Sequence, residues 1–299
     1  MSELPPNYDP FDQPARKIAG MSRAEAWQLV DAVSERDDLA LSAAAYELED
    51  GSWAIEATCD GEPELESFSE LARQTLGGDI TFSKERVDPE IDWVSRTQEG
   101  LAPVLAGGFF IHGSHDRANA PAGARAIEID AAQAFGTGHH ETTTGCLEAI
   151  DTILRVERPR HVIDVGTGTG VLAIALAKRL RQPIIATDID PVAVRIASQN
   201  AKKNGVAAFV RPFQATGMDH AEIIREAPYD LIVANILAKP LVALAADMAE
   251  LATPRAHLVL SGLLTEQAPR VLAAYRATGF VLKRRLIRGN WATLILGRG

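Results

Sequence analysis

Cysteine is scarce in this chain: Cys59 and Cys146 are the two in 299 residues, and they lie far apart. Such a pair builds no disulfide framework and no metal site by itself, and free thiols suit a reducing cytoplasm. Long apolar runs are missing as well. The longest candidate, around Leu241 to Ala246, falls far short of the roughly 20 residues that cross a bilayer, so no membrane partner is expected. The opening MSELPPNYDPFDQPARK lacks a basic start followed by an apolar stretch, and a secretory signal is not expected there. Positive charge is short in the first third. Residues 1–100 carry 23 Asp and Glu against 8 Lys and Arg, a balance of −15, whereas the remainder stands at +5. Phosphate repels such an acidic module, so direct nucleic-acid binding is not expected. The split argues for two domains with different partners. The acidic one is either a solubilising face or a docking surface that steers a basic partner.

What is present is ordinary globular material, 46% hydrophobic and 23% charged, long enough for two domains. In the first 87 residues, Ser22-Arg-Ala-Glu25 is a capping-box pattern ahead of a helical stretch. LSAAAYELE and WAIEATC, joined at Asp50-Gly51-Ser52, read as a hairpin. A second helix over Glu64 to Thr75 and a strand in DITFSKERV follow. With a short strand near Lys17, the order is β-α-β-β-α-β, a ferredoxin-like α+β sandwich. Residues 88–120 read as a linker, with a helix from Asp92-Trp93 and a short strand in FFIHG. From 121 to 299 the pattern is βαβα. Strands are expected at 161–166, 184–189, 207–212, 229–235 and 256–262, and helices at 170–181, 191–204, 238–252 and 265–278. A terminal hairpin completes a seven-stranded, doubly wound Rossmann-like sheet.

Chemistry concentrates at HVIDVGTGTG, residues 161–170, and at ATDID, residues 186–190. Glycines at 166, 168 and 170 let the backbone bend tightly and lie against a ligand. The spacing Gly-x-Gly-x-Gly, with Asp164 two residues before it, differs from the Gly-x-Gly-x-x-Gly of dinucleotide sites. Asp188 ends the next strand, placed to accept hydrogen bonds from two ribose hydroxyls. Together these favour S-adenosylmethionine over a nicotinamide cofactor. Upstream, AFGTGHHETTTGCLEAI (residues 134–150) places a glycine bend, two histidines and three threonines before a helix. The threonines either cap that helix or help a lid close over the methionine part of the ligand. Adjacent His139-His140, like His112-x-x-His115, makes poor ligand geometry, and no metal is expected. Asn235, ending YDLIVAN, sits where open α/β sheets place working groups. Its amide oxygen can accept a hydrogen bond from a substrate amine and aim the nitrogen lone pair at a methyl group. The plainer alternative is that Asn235 only turns the chain.

AFGTGxHxTT, DVGxGxG, DIDPxAV and ANILA, in this order and spacing, resemble the ribosomal protein L11 methyltransferase (PrmA) family from about Ile127 to the end. The resemblance implies a class I S-adenosylmethionine-dependent methyltransferase that methylates lysine side chains and an α-amine of large-subunit ribosomal protein L11, up to trimethylation. It implies cofactor contacts at Thr143, Gly166, Asp188 and Asn235, with Phe135, Gly138, His140, Gly168 and Ile189 as neighbours. Asn235 is then also the catalytic positioning group. Glu141 stands where the family usually has proline, Ala131-Ala132-Gln133 where Pro-Gly-Met is common, and Thr167 and Thr169 where Cys and Ser are frequent. Residues 1–87 are expected to recognise the substrate and 121–299 to catalyse. Three other readings stay open: an N-methyltransferase for another protein or a small-molecule amine, a dinucleotide oxidoreductase, and a nonenzymatic binding protein.

Overall fold

The computed structural model describes the chain apart from residues 1–13, 35, 37, 41, 49–50, 60–62, 79, 87–102, 130–138 and 299. The described residues sort into two compact units, one within 14–86 and the other within 103–298. The expected helix at Asp92-Trp93 lies outside them. No described helix is long and apolar enough to cross a membrane.

The first unit runs β1 (Pro14–Met21), α1 (Arg23–Ser34), β2 (Ser42–Glu47), β3 (Trp53–Thr58), α2 (Leu65–Leu76) and β4 (Ser83–Arg86). The sheet order is β2-β3-β1-β4, with every neighbouring pair antiparallel. The capping box forms as the residues dictate. Ser22 N donates to Glu25 Oε2 at 2.8 Å and Glu25 N to Ser22 Oγ at 3.4 Å, so two donors at the helix start are satisfied reciprocally. One face of the sheet and both helices close over Leu29, Val30, Ile55, Phe68, Ala72 and Phe82.

The second unit opens with β5 (Val104–Ala106), β6 (Phe109–His112) and β7 (Arg125–Glu128), a three-stranded sheet with a 3-10 turn over Ser114–Asn119. Part of the span expected as a linker is therefore folded. Ala106, Phe109 and Ile111 are buried in the same cluster as Leu147 and Ile150 of α3 (His139–Leu154), so burial fastens this sheet to the larger domain.

The remainder is β8 (Val162–Val165), α4 (Val171–Leu180), β9 (Ile184–Asp188), α5 (Pro191–Lys203), β10 (Val210–Gln214), α6 (Ala221–Glu226) and β11 (Tyr229–Asn235). Then come α7 (Ala238–Ala243), α8 (Ala245–Glu250), β12 (Ala252–Leu264), α9 (Ala268–Ala277), β13 (Phe280–Arg288) and β14 (Trp291–Arg298). The seven strands lie in the order β10-β9-β8-β11-β12-β14-β13. The first five are parallel, β14 runs antiparallel to them, and the edge strand β13, antiparallel to β14, shares their direction. Alternate residues of β11 feed opposite faces, as strand geometry requires. Leu231 and Val233 join the cluster under α3 and α4, while Ile232 and Ala234 join the one under α7 to α9.

Three expectations shift. β10 starts at Val210, because Phe209 N bonds Val206 O at 2.8 Å and holds the preceding residues in a turn. The helix expected over 238–252 is two short helices meeting at Leu244. A further short helix, α6, follows His220, whose ring nitrogen accepts from Glu222 N. Strand order reverses between β8 and β11, with β9 and β10 on one side and β12 on the other, so the crevice beyond their carboxyl ends is where a doubly wound sheet binds its ligand.

Candidate functional site

At that crevice the chain leaves β8 through Gly166, Gly168 and Gly170, with φ of 70°, 53° and 82°, before α4 begins. All three lie in the left-handed region that side chains disfavour. Two of them also make room for neighbours. A Cβ at 166 would sit 2.2 Å from Ile236 Cγ2, and one at 170 would sit 3.0 Å from Ala197 Cβ. At Gly168 nothing lies within 4 Å of the Cβ position among the described residues, so the middle of the turn borders open space.

The turn is tied from several sides. Thr167 N donates to Thr187 O at 2.8 Å, and Asn200 Nδ2 donates to Thr169 O at 2.9 Å. Beneath it, buried Asp164 accepts from Thr167 Oγ1 at 2.6 Å and from Ala173 N at 3.1 Å through one oxygen. Burial pushes the Asp164 carboxyl up to about 7. The hydrogen bonds from Thr167 and Ala173 oppose that rise, and the nearby Asp188 charge adds to it.

Asp188 ends β9 with both oxygens fixed. Oδ2 accepts from Gly168 N at 2.8 Å and Oδ1 from Asp190 N at 3.0 Å. A carboxylate has about four lone-pair sites, so capacity remains for a vicinal diol, one hydroxyl per oxygen. The next side chain, Ile189, is 65% exposed and presents apolar surface beside that acceptor pair. Asp190 caps α5 by accepting from Val192 N at 2.7 Å, with Pro191 in the first turn, as Asp190-Pro191 predicts.

On the other side of β8, Ala234 of β11 pairs with Val165, which sets Asn235 beside the glycine turn. Asn235 Nδ2 lies 3.4 Å from Thr142 Oγ1 in the first turn of α3. Its Oδ1 is buried and has no partner among the described residues. A buried acceptor left alone costs about 1–3 kcal/mol, so this atom marks a place where a donor is wanted. Thr143, the next residue of α3, is also buried.

The structure thus brings Gly166, Gly168, Asp188 and Asn235 to one crevice, with Thr143 on the helix that reaches Asn235. Ile189 stands at its rim. His140 falls in the first turn of α3, and Phe135 and Gly138 lie outside the described residues. The remaining histidine pair is spoken for: the His112 ring lies 2.7 Å from Gly113 O, and His115 lies 3.1 Å from Asp116. Sequence reading missed the supports. Thr167 stood out only as a departure from a family pattern, and its hydroxyl holds Asp164. Asn200 was legible as a polar residue between the buried positions Ala197 and Ala201 of an amphipathic helix. Thr142 was hidden in a run of three threonines.

Comparison with known proteins places residues 22–298 in a match to the family model described as Ribosomal protein L11 methyltransferase (PrmA). A protein named Ribosomal protein L11 methyltransferase from Rhodopseudomonas palustris (strain BisB5) is 46% identical over 278 residues, covering 92% of this chain and 94% of that one. One of the same name from Rhizobium etli (strain CFN 42) is 40% identical over 288 residues, covering 95% and 98%. Among solved structures, the ribosomal protein L11 methylase of Lactobacillus delbrueckii subsp. bulgaricus aligns with a TM-score of 0.58 at 27% identity. That alignment covers 66% of this chain and 99% of that one.

Proposed function

The chain belongs to the ribosomal protein L11 methyltransferase (PrmA) family, and from that premise we propose that it transfers methyl groups from S-adenosylmethionine to amines of ribosomal protein L11. Lysine side chains and the amino-terminal amine are the acceptors, each taken up to the trimethyl form. The observation that carries this reading is the buried Oδ1 of Asn235, without a partner among the described residues, beside a glycine turn whose middle meets none of them.

The donor set fits the cofactor. Asp188 retains acceptor capacity for the ribose hydroxyls, Ile189 offers an apolar face for the adenine, and the open side of Gly168 leaves room for the chain between them. Thr143 and Gly166 border the same space, and Phe135, Gly138 and His140 are assigned to its methionine end. When bound, the cofactor supplies an electrophilic methyl on a sulfonium. The protein's own work is positional. For the first two transfers Asn235 Oδ1 accepts an N–H of the incoming amine, which leaves the nitrogen lone pair free and fixes its direction; a neutral dimethylamine has no N–H, so the third transfer rests on in-line placement alone. Lysine is mostly protonated at neutral pH, with an ordinary pKa near 10.4, so the amine must shed a proton before transfer. A partly apolar crevice disfavours the charged form and assists that loss. Holding donor and acceptor in line accounts for much of the rate.

The acidic first unit is assigned substrate recognition, and the second unit, including β5 to β7, is assigned catalysis. Both cysteines are buried free thiols, which suits the cytoplasm as the place of reaction. With labelled S-adenosylmethionine, Asn235→Ala should cut turnover on L11 about a hundredfold, much more than it lowers cofactor affinity. Equal losses in both would remove Asn235 from the acceptor role.

A further inference from the structure

A carboxamide has two chemically opposite ends, an acceptor oxygen and an NH2 with two donors. The torsion that exchanges them is broad and roughly two-fold, so rotamer preference alone does not choose between them. At Asn235 the choice matters. With the NH2 facing the crevice, an arriving amine would receive a donor, and its lone pair would be tied up in that hydrogen bond. With the oxygen facing it, the amine donates and the lone pair stays free.

We infer that Thr142 is the positioning residue that makes this choice, holding the Asn235 NH2 so that the amide oxygen meets the acceptor amine. The inference rests on the methyl-transfer reading above. Thr142 is 1% exposed, and its Oγ1 lies 3.4 Å from Asn235 Nδ2. A bond this long contributes little to stability, but a helical threonine hydroxyl that gives its proton to a carbonyl of the preceding turn meets the amide only as an acceptor, and that bias is enough to choose between two otherwise similar amide rotamers. Successive helix positions point about 100° apart, so Thr142 turns to Asn235 while Thr143 faces elsewhere. The neighbouring threonines therefore have separate duties.

The pair is held by a common frame. One turn along α3, Gly145 meets β14 so closely that a Cβ there would lie 2.2 Å from Thr293 Oγ1. Thr293 Oγ1 lies 2.8 Å from Ser261 Oγ, inside the sheet. The Ser261 carbonyl accepts from Ile236 N at 3.1 Å, one residue beyond Asn235. Helix α3 and the end of β11 are thus both referenced to β12 at Ser261. The Thr142–Asn235 spacing is set by packing rather than by the weak bond itself.

The test is a set of variants read in two ways. Thr142→Val keeps the shape and removes the oxygen, and Thr142→Ser keeps the oxygen. On L11, Thr142→Val should lower kcat about tenfold, with the affinity for S-adenosylmethionine changed less than about twofold, and Thr142→Ser should restore most of the rate. In an Asn235→Ala background, Thr142→Val should cost nothing further, because a residue acting through another has no effect once that one is gone. Equal cost in both backgrounds, or no rescue by serine, overturns the inference. The second reading needs no substrate. The side-chain NH2 signals of Asn235, identified in nitrogen-15 spectra by their loss in Asn235→Asp, should move in Thr142→Val and return in Thr142→Ser. Signals unmoved by valine also overturn it. Absence of transfer to L11 by the unaltered protein would instead refute the proposed substrate, while the amide signals would still decide the role of Thr142.

Discussion

Asp188 and Asp164 are close in space and opposite in duty. Asp188 shares its oxygens between two backbone donors and a crevice. Under the proposed role, replacing it with alanine removes two hydrogen bonds to a ligand diol, and bonds to a charged acceptor are worth about 1.5–3 kcal/mol each. Asp188→Ala should therefore weaken S-adenosylmethionine binding at least about tenfold in a calorimetric titration; an unchanged affinity would place the ribose elsewhere. Asp164 is buried beneath the turn, and burial raises its carboxyl to about 7, above the value near 3.9 of an unfolded chain. Between those values the folded protein keeps a proton that the unfolded chain has lost. Its contribution to stability therefore falls as pH rises through that window and levels off above about 7. Asp164→Asn keeps an oxygen for Thr167 and Ala173. Its urea midpoint should consequently gain on the unaltered protein between about pH 5 and pH 8, and a constant difference would show that Asp164 is ionised throughout. At this scale the sequence showed most of the crevice, since Gly166, Gly168, Asp188 and Asn235 are marked by strand ends and turn chemistry. It could not show Thr142, because three consecutive threonines carry no mark of which one faces the next strand.

Helix α3 reaches the crevice only because it packs closely on the terminal hairpin through Gly145. An alanine there would gain about 1 kcal/mol of helix propensity, but its Cβ would overlap Thr293 Oγ1 and disturb the Ser261–Thr293 pair. Overpacking costs about 1–3 kcal/mol, and the lost hydrogen bond about 0.5–1.5 more, so the net effect is a loss. Gly145→Ala should lower the melting temperature by a few degrees, and adding Thr293→Ala should recover part of it. A variant as stable as the original would mean that the helix shifts freely. Local patterns predicted the elements whose signals are local. Ser22 with Glu25 capped α1, Asp190-Pro191 opened α5, and short apolar runs marked β11 and the terminal hairpin. The three-stranded sheet over 104–128 was less legible. Its strands are three or four residues long, too short to set a period, and they hold together by burial against α3.

The two units differ in charge as well as in topology, with the acidic excess confined to the first third of the chain. If that excess steers a basic substrate, the interaction is screened over a Debye length of about 8–10 Å at physiological salt. Raising salt should then increase KM for L11 while leaving kcat and cofactor affinity nearly unchanged, and a salt-independent KM would reduce the acidic surface to a solubilising one. The seven-stranded, doubly wound plan of the larger unit was readable from its alternation of elements, because right-handed crossovers leave few topologies open. The most direct test of the whole account is mass spectrometry of purified ribosomal protein L11 after incubation with this protein and S-adenosylmethionine. The account predicts successive mass increments of one methylene each, mapping to lysine side chains and the amino terminus. An unchanged mass, with cofactor binding intact, would contradict the assigned substrate and direct the search to another amine.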